Sequence, residues 1–144
     1  MLILHQSAHQ ITSTPPGNLL QETSLKYLLS GTEYGTLNMV KISVTDLAGH
    51  TSTIEAEIGL SLMENIRNND FDDLAAICGG CCSCCTCHVF VDADDVEQLP
   101  KMEDDEQFLL EDSENYDPAL SRLSCQIEVD DSMSQLRVTI APEA

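Results

Sequence analysis

The sequence predicts an α+β domain in which a mixed sheet packs on a helix. Three observations carry that prediction. Two runs near residues 40–58 alternate apolar and polar residues with the two-residue period of half-buried strands. A helix start signal follows them directly, and further strand-like apolar runs close the chain.

The first strand-like run sets Val40, Ile42 and Val44 against Lys41, Ser43 and Thr45. The second sets Ile54, Ala56 and Ile58 against Thr53, Glu55 and Glu57. Asp46-Leu-Ala-Gly-His50 between them carries the residue types of a turn, so the two runs should form a hairpin. Ser61-Leu-Met-Glu64 has the form of a capping box, in which Ser61 accepts from the N–H of Glu64 and Glu64 reaches back to the N–H of Ser61. A helix should start there, bury Leu62, Met63 and Ile66, and end at Asn68-Asn69-Asp70. His88-Val-Phe-Val91 reads as a short buried strand. A second helix is expected over Met102–Glu111, with Phe108, Leu109 and Leu110 turned inward and Asp104, Asp105, Glu106 and Glu111 in solvent. Its early acids complement the positive end of the helix dipole. The last strands are expected at Gln126–Val129 and Leu136–Ile140, with Pro142 stopping any extension.

Between the first helix and the strand at His88 lies Cys78-Gly-Gly-Cys-Cys-Ser-Cys-Cys-Thr-Cys87-His88, which places six of the seven cysteines within ten residues. The seventh is Cys125. Cys78, Cys84, Cys87 and Cys125 follow the pattern C-x5-C-x2-C with a distant fourth cysteine. That is four thiolates, enough to hold a [2Fe-2S] cluster with two sulfurs on each iron. Gly79 and Gly80 suit a loop whose backbone N–H groups must approach sulfur closely. Spacing alone leaves other chemistry open, because Cys81/Cys84, Cys82/Cys85 and Cys84/Cys87 are also C-x-x-C pairs able to seed zinc or thiol-redox sites. Six adjacent thiols cannot all pair as disulfides within one short loop, given the Cα separations and dihedrals such bonds require.

Composition narrows the classes further. The chain has 144 residues, no tryptophan and few aromatics, which suits one modest core. Its 25 acids against 6 Lys and Arg give a formal charge of −19, which excludes nucleic-acid binding and disfavours anionic membranes. No apolar run approaches a membrane span of about 18 residues, Met1-Leu-Ile-Leu is too short for a signal sequence, and residues 1–38 lack the arginines of a mitochondrial presequence. A monomer in the cytoplasm, where thiolates persist, is expected. Residues 1–38 contain no cysteine and carry Thr-Ser-Thr-Pro-Pro-Gly at 12–17. They are expected to be a flexible extension or an over-extended start ahead of a domain at 39–144, with Leu19, Leu20, Leu25, Leu28 and Leu29 able to support a short helix.

The string Cys78-Gly-Gly-x-x-Ser-Cys84-x-Thr-Cys87-His88-Val89, with Arg122-Leu-Ser-Cys125-Gln-Ile further on, closely resembles the adrenodoxin/putidaredoxin-type [2Fe-2S] ferredoxins. The resemblance runs from about Met39 to Pro142. It is nearest to bacterial ferredoxins that feed aromatic-ring or demethylating oxygenases, such as the carrier of a dicamba O-demethylase system. It implies a β-grasp fold in which the first and last strands pair in parallel. It also implies a [2Fe-2S] cluster held by Cys78, Cys84, Cys87 and Cys125. Gly79 and Gly80 would shape the loop, and Thr86 and Ser83 would donate to sulfur. His88 matches a family histidine and is expected to hold neighbouring backbone.

The implied function is one-electron transfer, not catalysis, from an NAD(P)H-dependent flavoprotein ferredoxin reductase to a terminal oxygenase. The implied docking acids are Asp104, Asp105, Glu106 and Glu111, whereas Phe108 sits where some relatives place another acid. Two further departures stand out. Cys81, Cys82 and Cys85 replace the small residues frequent at those places and are read as inert fillers. The ending Ala141-Pro-Glu-Ala144 lacks the terminal aromatic of the putidaredoxin branch, which turns the expectation toward a Rieske-type non-haem iron oxygenase, with a haem-thiolate monooxygenase next. The competing class is a zinc-binding structural or interaction module.

Overall fold

The structure is a computed structural model and describes residues 39–143. The expectations for residues 1–38 lie outside them.

Strand β1 (Met39–Thr45) and strand β2 (Thr51–Glu57) form the expected antiparallel hairpin, with Val40 opposite Ala56 and Ile42 opposite Ile54. The alternation puts Val40, Ile42, Val44, Ile54 and Ala56 on the buried face. The turn closes through Asp46: its N–H donates to His50 O at 3.0 Å, and its Oδ1 accepts from the N–H of His50 at 2.8 Å.

Helix α1 (Leu62–Asn68) opens with the capping box read from sequence. The N–H of Glu64 donates to Ser61 Oγ at 3.2 Å, and the N–H of Ser61 donates to Glu64 Oε2 at 2.9 Å. Leu62, Met63 and Ile66 are buried as expected. Buried Asn65 ties the helix to β2, accepting from the N–H of Glu57 and donating to its carbonyl. The helix ends at Asn69, and Asp70 takes a left-handed φ of 63°.

Strand β3 (His88–Val91), helix α2 (Asp104–Glu111), strand β4 (Ser121–Leu123) and strand β5 (Arg137–Ile140) complete a five-stranded sheet of order β2-β1-β5-β3-β4. β1 and β5 run parallel, with Val44 beside Val138, and the other pairings are antiparallel. The mixed α+β, β-grasp expectation stands, including the parallel pairing of first and last strands. Ile42, Leu62, Ile66, Leu123, Leu136 and Ile140 lie at the centre of the core.

Two expectations need correction. The strand near the end is Ser121–Leu123, not Gln126–Val129. Residues Ser124–Gln126 form a 3-10 turn, and the following segment meets the rest through one bridge, Ser61 to Glu128. Ile127 and Val129 are buried nonetheless. Helix α2 starts at Asp104 rather than Met102, and its faces differ from the expected ones. Glu106 is 1% exposed and Phe108 is 73% exposed. Glu106 and Leu110 are four residues apart and share the inward face, which turns Phe108, two residues from each, outward.

Candidate metal centre

The sheet register brings the distant cysteine to the loop. β3 and β4 pair with His88 opposite Leu123, so the residue before β3, Cys87, and the turn after β4, which holds Cys125, meet at one end of the sheet. Ser124 fastens that end: its N–H and its Oγ both donate to Cys87 O, at 3.0 and 2.8 Å. Gly80 lies against the same place, and a Cβ there would stand 3.6 Å from Cys125 Cβ.

The loop is held in a conformation that turns N–H groups toward sulfur. Gly79 and Gly80 take φ of 67° and 97°, and Cys82 and Cys85 take 52° and 55°, so left-handed residues recur along it. Successive residues of this kind make concavities lined by N–H groups that suit anions. The N–H of Cys78 donates to Cys84 Sγ at 3.3 Å, and Gln126 Nε2 donates to Cys125 Sγ at 3.3 Å. Thr86 Oγ1 accepts from the N–H of Ile77 at 2.8 Å and stands 2.9 Å from Cys84 Sγ, leaving its own proton for that sulfur. Ser83 Oγ stands 3.1 Å from the sulfur of Cys81.

These contacts sort the thiols electrostatically. The Ser83 N–H and the Cys84 thiol bring Cys78 down to about 6. A hydrogen bond from the Cys87 thiol brings Cys125 down to about 6, assisted by Gln126. Cys87 is pushed upward, because its thiol donates a hydrogen bond to Cys125 and is itself buried. Cys82 and Cys85 are raised chiefly by burial. All seven cysteines are free: Cys81 is exposed, Cys87 is buried, and the rest are half-buried.

The loop and the turn after β4 therefore bring together enough free sulfurs for a dinuclear cluster, with N–H donors against those of Cys84 and Cys125. Among the described residues no three His, Cys, Asp or Glu side chains converge as they would about a single metal ion.

His88 does not hold neighbouring backbone by its ring. Its Nε2 lies 2.8 Å from Ser121 Oγ across the β3–β4 pair, and its buried Nδ1 has no partner. Burial holds it below the ordinary histidine range. Sequence reading also missed the partner of Glu106. Arg122 Nε and Nη2 donate to Glu106 Oε1 and Oε2 at 2.8 and 3.2 Å, and Arg122 Nη1 donates to Pro100 O at 2.9 Å. The only available signal was a lone arginine, Arg122, between Ser121 and Leu123 in a short strand whose three residues are all buried. Of the four expected docking acids, Asp104, Asp105 and Glu111 are exposed and Glu106 is not.

Residues 45–130 match the family model of the 2Fe-2S iron-sulfur cluster binding domain. The chain is 40% identical over 106 residues to the 2Fe-2S ferredoxin CtmE of Castellaniella defragrans, a match covering 73% of this chain and 98% of the relative. The solved ferredoxin of Rhodopseudomonas palustris HaA2 superposes with a TM-score of 0.68 at 34% identity, over 72% of this chain and 97% of that one. A putidaredoxin solved in covalent complex with putidaredoxin reductase gives a TM-score of 0.66 at 31% identity, over 72% and 99%. Among the described residues no helix is long and apolar enough to cross a membrane.

Proposed function

We propose, from the premise that this chain belongs to the 2Fe-2S iron-sulfur cluster binding family and is a [2Fe-2S] electron carrier of the adrenodoxin/putidaredoxin type, that Cys78, Cys84, Cys87 and Cys125 hold its cluster. Bound there, the cluster takes up and releases one electron at a time, with little movement of its ligands. The observation that supports the ligand set is that donors from Cys78 N–H and Thr86 Oγ1 meet Cys84 Sγ and a donor from Gln126 meets Cys125 Sγ, two of these four sulfurs. Donors of this kind stabilise negative charge on sulfur, which favours the reduced form and sets the potential.

The proposed electron donor is an NAD(P)H-dependent flavoprotein ferredoxin reductase, a reading supported by the likeness to a putidaredoxin captured with its reductase. The proposed acceptor is a terminal oxygenase. A Rieske-type non-haem iron enzyme is proposed first and a haem-thiolate one next. Free, thiolate-prone cysteines suit a reducing compartment, so the cytoplasm is the proposed location.

Purified protein should be red-brown, bleach on reduction, and contain iron and acid-labile sulfide in equal amounts. Cys78→Ser, Cys84→Ser, Cys87→Ser and Cys125→Ser should each lose or strongly alter the visible spectrum, whereas Cys81→Ser, Cys82→Ser and Cys85→Ser should keep it. Bleaching by Cys82→Ser with retention in Cys84→Ser would show the register to be wrong. With a flavoprotein reductase and an oxygenase present, NAD(P)H consumption coupled to oxygenation should require this chain. Turnover that proceeds equally without it excludes the carrier role for that couple.

A further inference from the structure

Two large apolar side chains are about three-quarters exposed among the described residues, Ile77 at 75% and Phe108 at 73%. Ile77 belongs to the cysteine loop, where its N–H donates to Thr86 Oγ1. Phe108 has no such local explanation. The inward face of α2 is taken by Glu106 and Leu110, so the ring adds nothing to the core. Residues three and four positions away share its side of the helix. Those residues are Asp104, Asp105, Glu111 and Asp112, and all four are exposed, with Asp112 continuing the helical backbone at the C-cap.

A bare phenyl ring centred among four carboxylates has the layout of a protein-docking surface, an apolar centre inside a charged rim. An aromatic at such a centre carries binding energy when a partner pocket removes it from water, while rim charges act mainly on encounter and orientation. We propose that Phe108 is the apolar anchor by which this chain docks on its flavoprotein reductase. This rests on the reductase reading given above. The matching surface on the partner is an apolar cleft rimmed by lysine and arginine, because four acids in a chain of charge −19 require positive groups around whatever receives the ring. Phe108 is then a specificity determinant that charge complementarity alone does not supply.

The test uses the cluster-bound chain, NAD(P)H, cytochrome c as final acceptor, and whichever flavoprotein reductase reduces the wild-type chain, putidaredoxin reductase being included in the panel. Phe108→Ala, Phe108→Leu and Asp105→Lys are compared at about 0.05 and about 0.5 M salt. Phe108→Ala should raise the KM for this chain about tenfold or more at both salt levels, since loss of apolar contact is not screened. Phe108→Leu should stay within about threefold of wild type, retaining most of the apolar contact. Asp105→Lys should raise KM at low salt, with an effect that shrinks at high salt. The visible spectrum and melting temperature of both Phe108 variants should match wild type. A KM for Phe108→Ala within about twofold of wild type, or a rise that disappears at high salt, overturns the anchor while leaving the acidic docking reading in place. If no reductase in the panel reduces the wild-type chain, the underlying reductase reading fails and the anchor fails with it.

Discussion

One oxygen of Glu106 binds both Arg122 and the strand that leads to Cys125: Oε1 lies 2.8 Å from Arg122 Nε and 2.7 Å from the backbone nitrogen of Leu123. The carboxylate is 1% exposed and the arginine 6%. With the bond from Arg122 to Pro100 O, this joins α2, β4 and the segment before α2 immediately beside the proposed fourth ligand. Breaking a buried pair by removing one partner leaves an uncompensated charge, which costs about 3–5 kcal/mol. Glu106→Gln should therefore lower stability to urea by roughly that amount and speed loss of the visible spectrum. Replacing both partners, Glu106→Leu with Arg122→Met, should recover most of the loss. It should not recover all of it, because the N–H of Leu123 is left bare at a cost of about 1–3 kcal/mol. A loss below about 1 kcal/mol for Glu106→Gln would show that the pair contributes little.

The same residues show where sequence reading stops. The hairpin and the capping box are local: each is written in fewer than twenty residues, and each appears as read. The faces of α2 are not local. Glu106 points inward because Arg122, sixteen residues later, waits there, and burying that pair turns Phe108 outward against the hydrophobicity rule. Gln126–Val129 reads as a strand, and the burial of Ile127 and Val129 fits an extended segment, but sequence does not say what they pair with. Their hydrogen bonds go to Leu62 N and Leu60 O, not to a strand of the main ladder. A four-cysteine set can be proposed from sequence because ligand spacing is a sequence property, whereas the meeting of Cys87 with Cys125 depends on the β3–β4 register.

Asp95 gives a pH dependence. Hydrogen bonding to the Arg137 side chain holds its carboxyl below the usual carboxylate range, with Arg137 Nε at 2.9 Å and Arg137 N at 3.0 Å from Oδ2. A lowered folded-state value means that the stability from this carboxylate is fully present above the unfolded value of about 3.9 and is lost as pH falls through the lower folded value. Asp95→Asn should therefore be less stable than wild type at neutral pH, and the difference in melting temperature should narrow as pH drops below about 4. Comparing variant and wild type at each pH removes the cluster's own acid lability. A difference that stays constant down to pH about 2 would show that Asp95 contributes nothing through its charge.

The glycine pair should respond unequally. Both Gly79 and Gly80 have φ values that L side chains rarely adopt, so alanine at either is strained by about 1–2 kcal/mol. The two differ in what the strained backbone adjoins: at Gly80 the Cβ would touch Met63 Cε at 3.4 Å and Cys125 Cβ at 3.6 Å, ordinary contact distances, so a shift there is passed to the proposed fourth ligand, whereas nothing lies within 4 Å at Gly79. Gly80→Ala should lower bound iron and accelerate cluster loss more than Gly79→Ala. Equal iron content and equal loss rates in the two variants would mean that backbone strain alone matters and that the approach of Gly80 to Cys125 does not.

Charge reversal on α2 should now separate two kinds of acid. Asp104, Asp105 and Glu111 are exposed, and an encounter that they steer must weaken as the screening length falls from about 10 Å at 0.1 M salt to about 3 Å at 1 M. Asp105→Lys and Glu111→Lys should each raise the reductase KM severalfold at low salt. Both should keep the wild-type spectrum and melting temperature, because neither side chain is part of the core, and both should converge on wild type as salt rises. Glu106→Lys belongs to a different class. It sets an ammonium group against Arg122 in a buried site, and the result should be loss of the folded, cluster-bound protein at any salt concentration. Reductase kinetics that ignore both ionic strength and the Asp105 and Glu111 reversals would leave the acids of α2 a role in solubility alone. A folded Glu106→Lys protein with an intact spectrum would contradict the buried geometry of Glu106 itself.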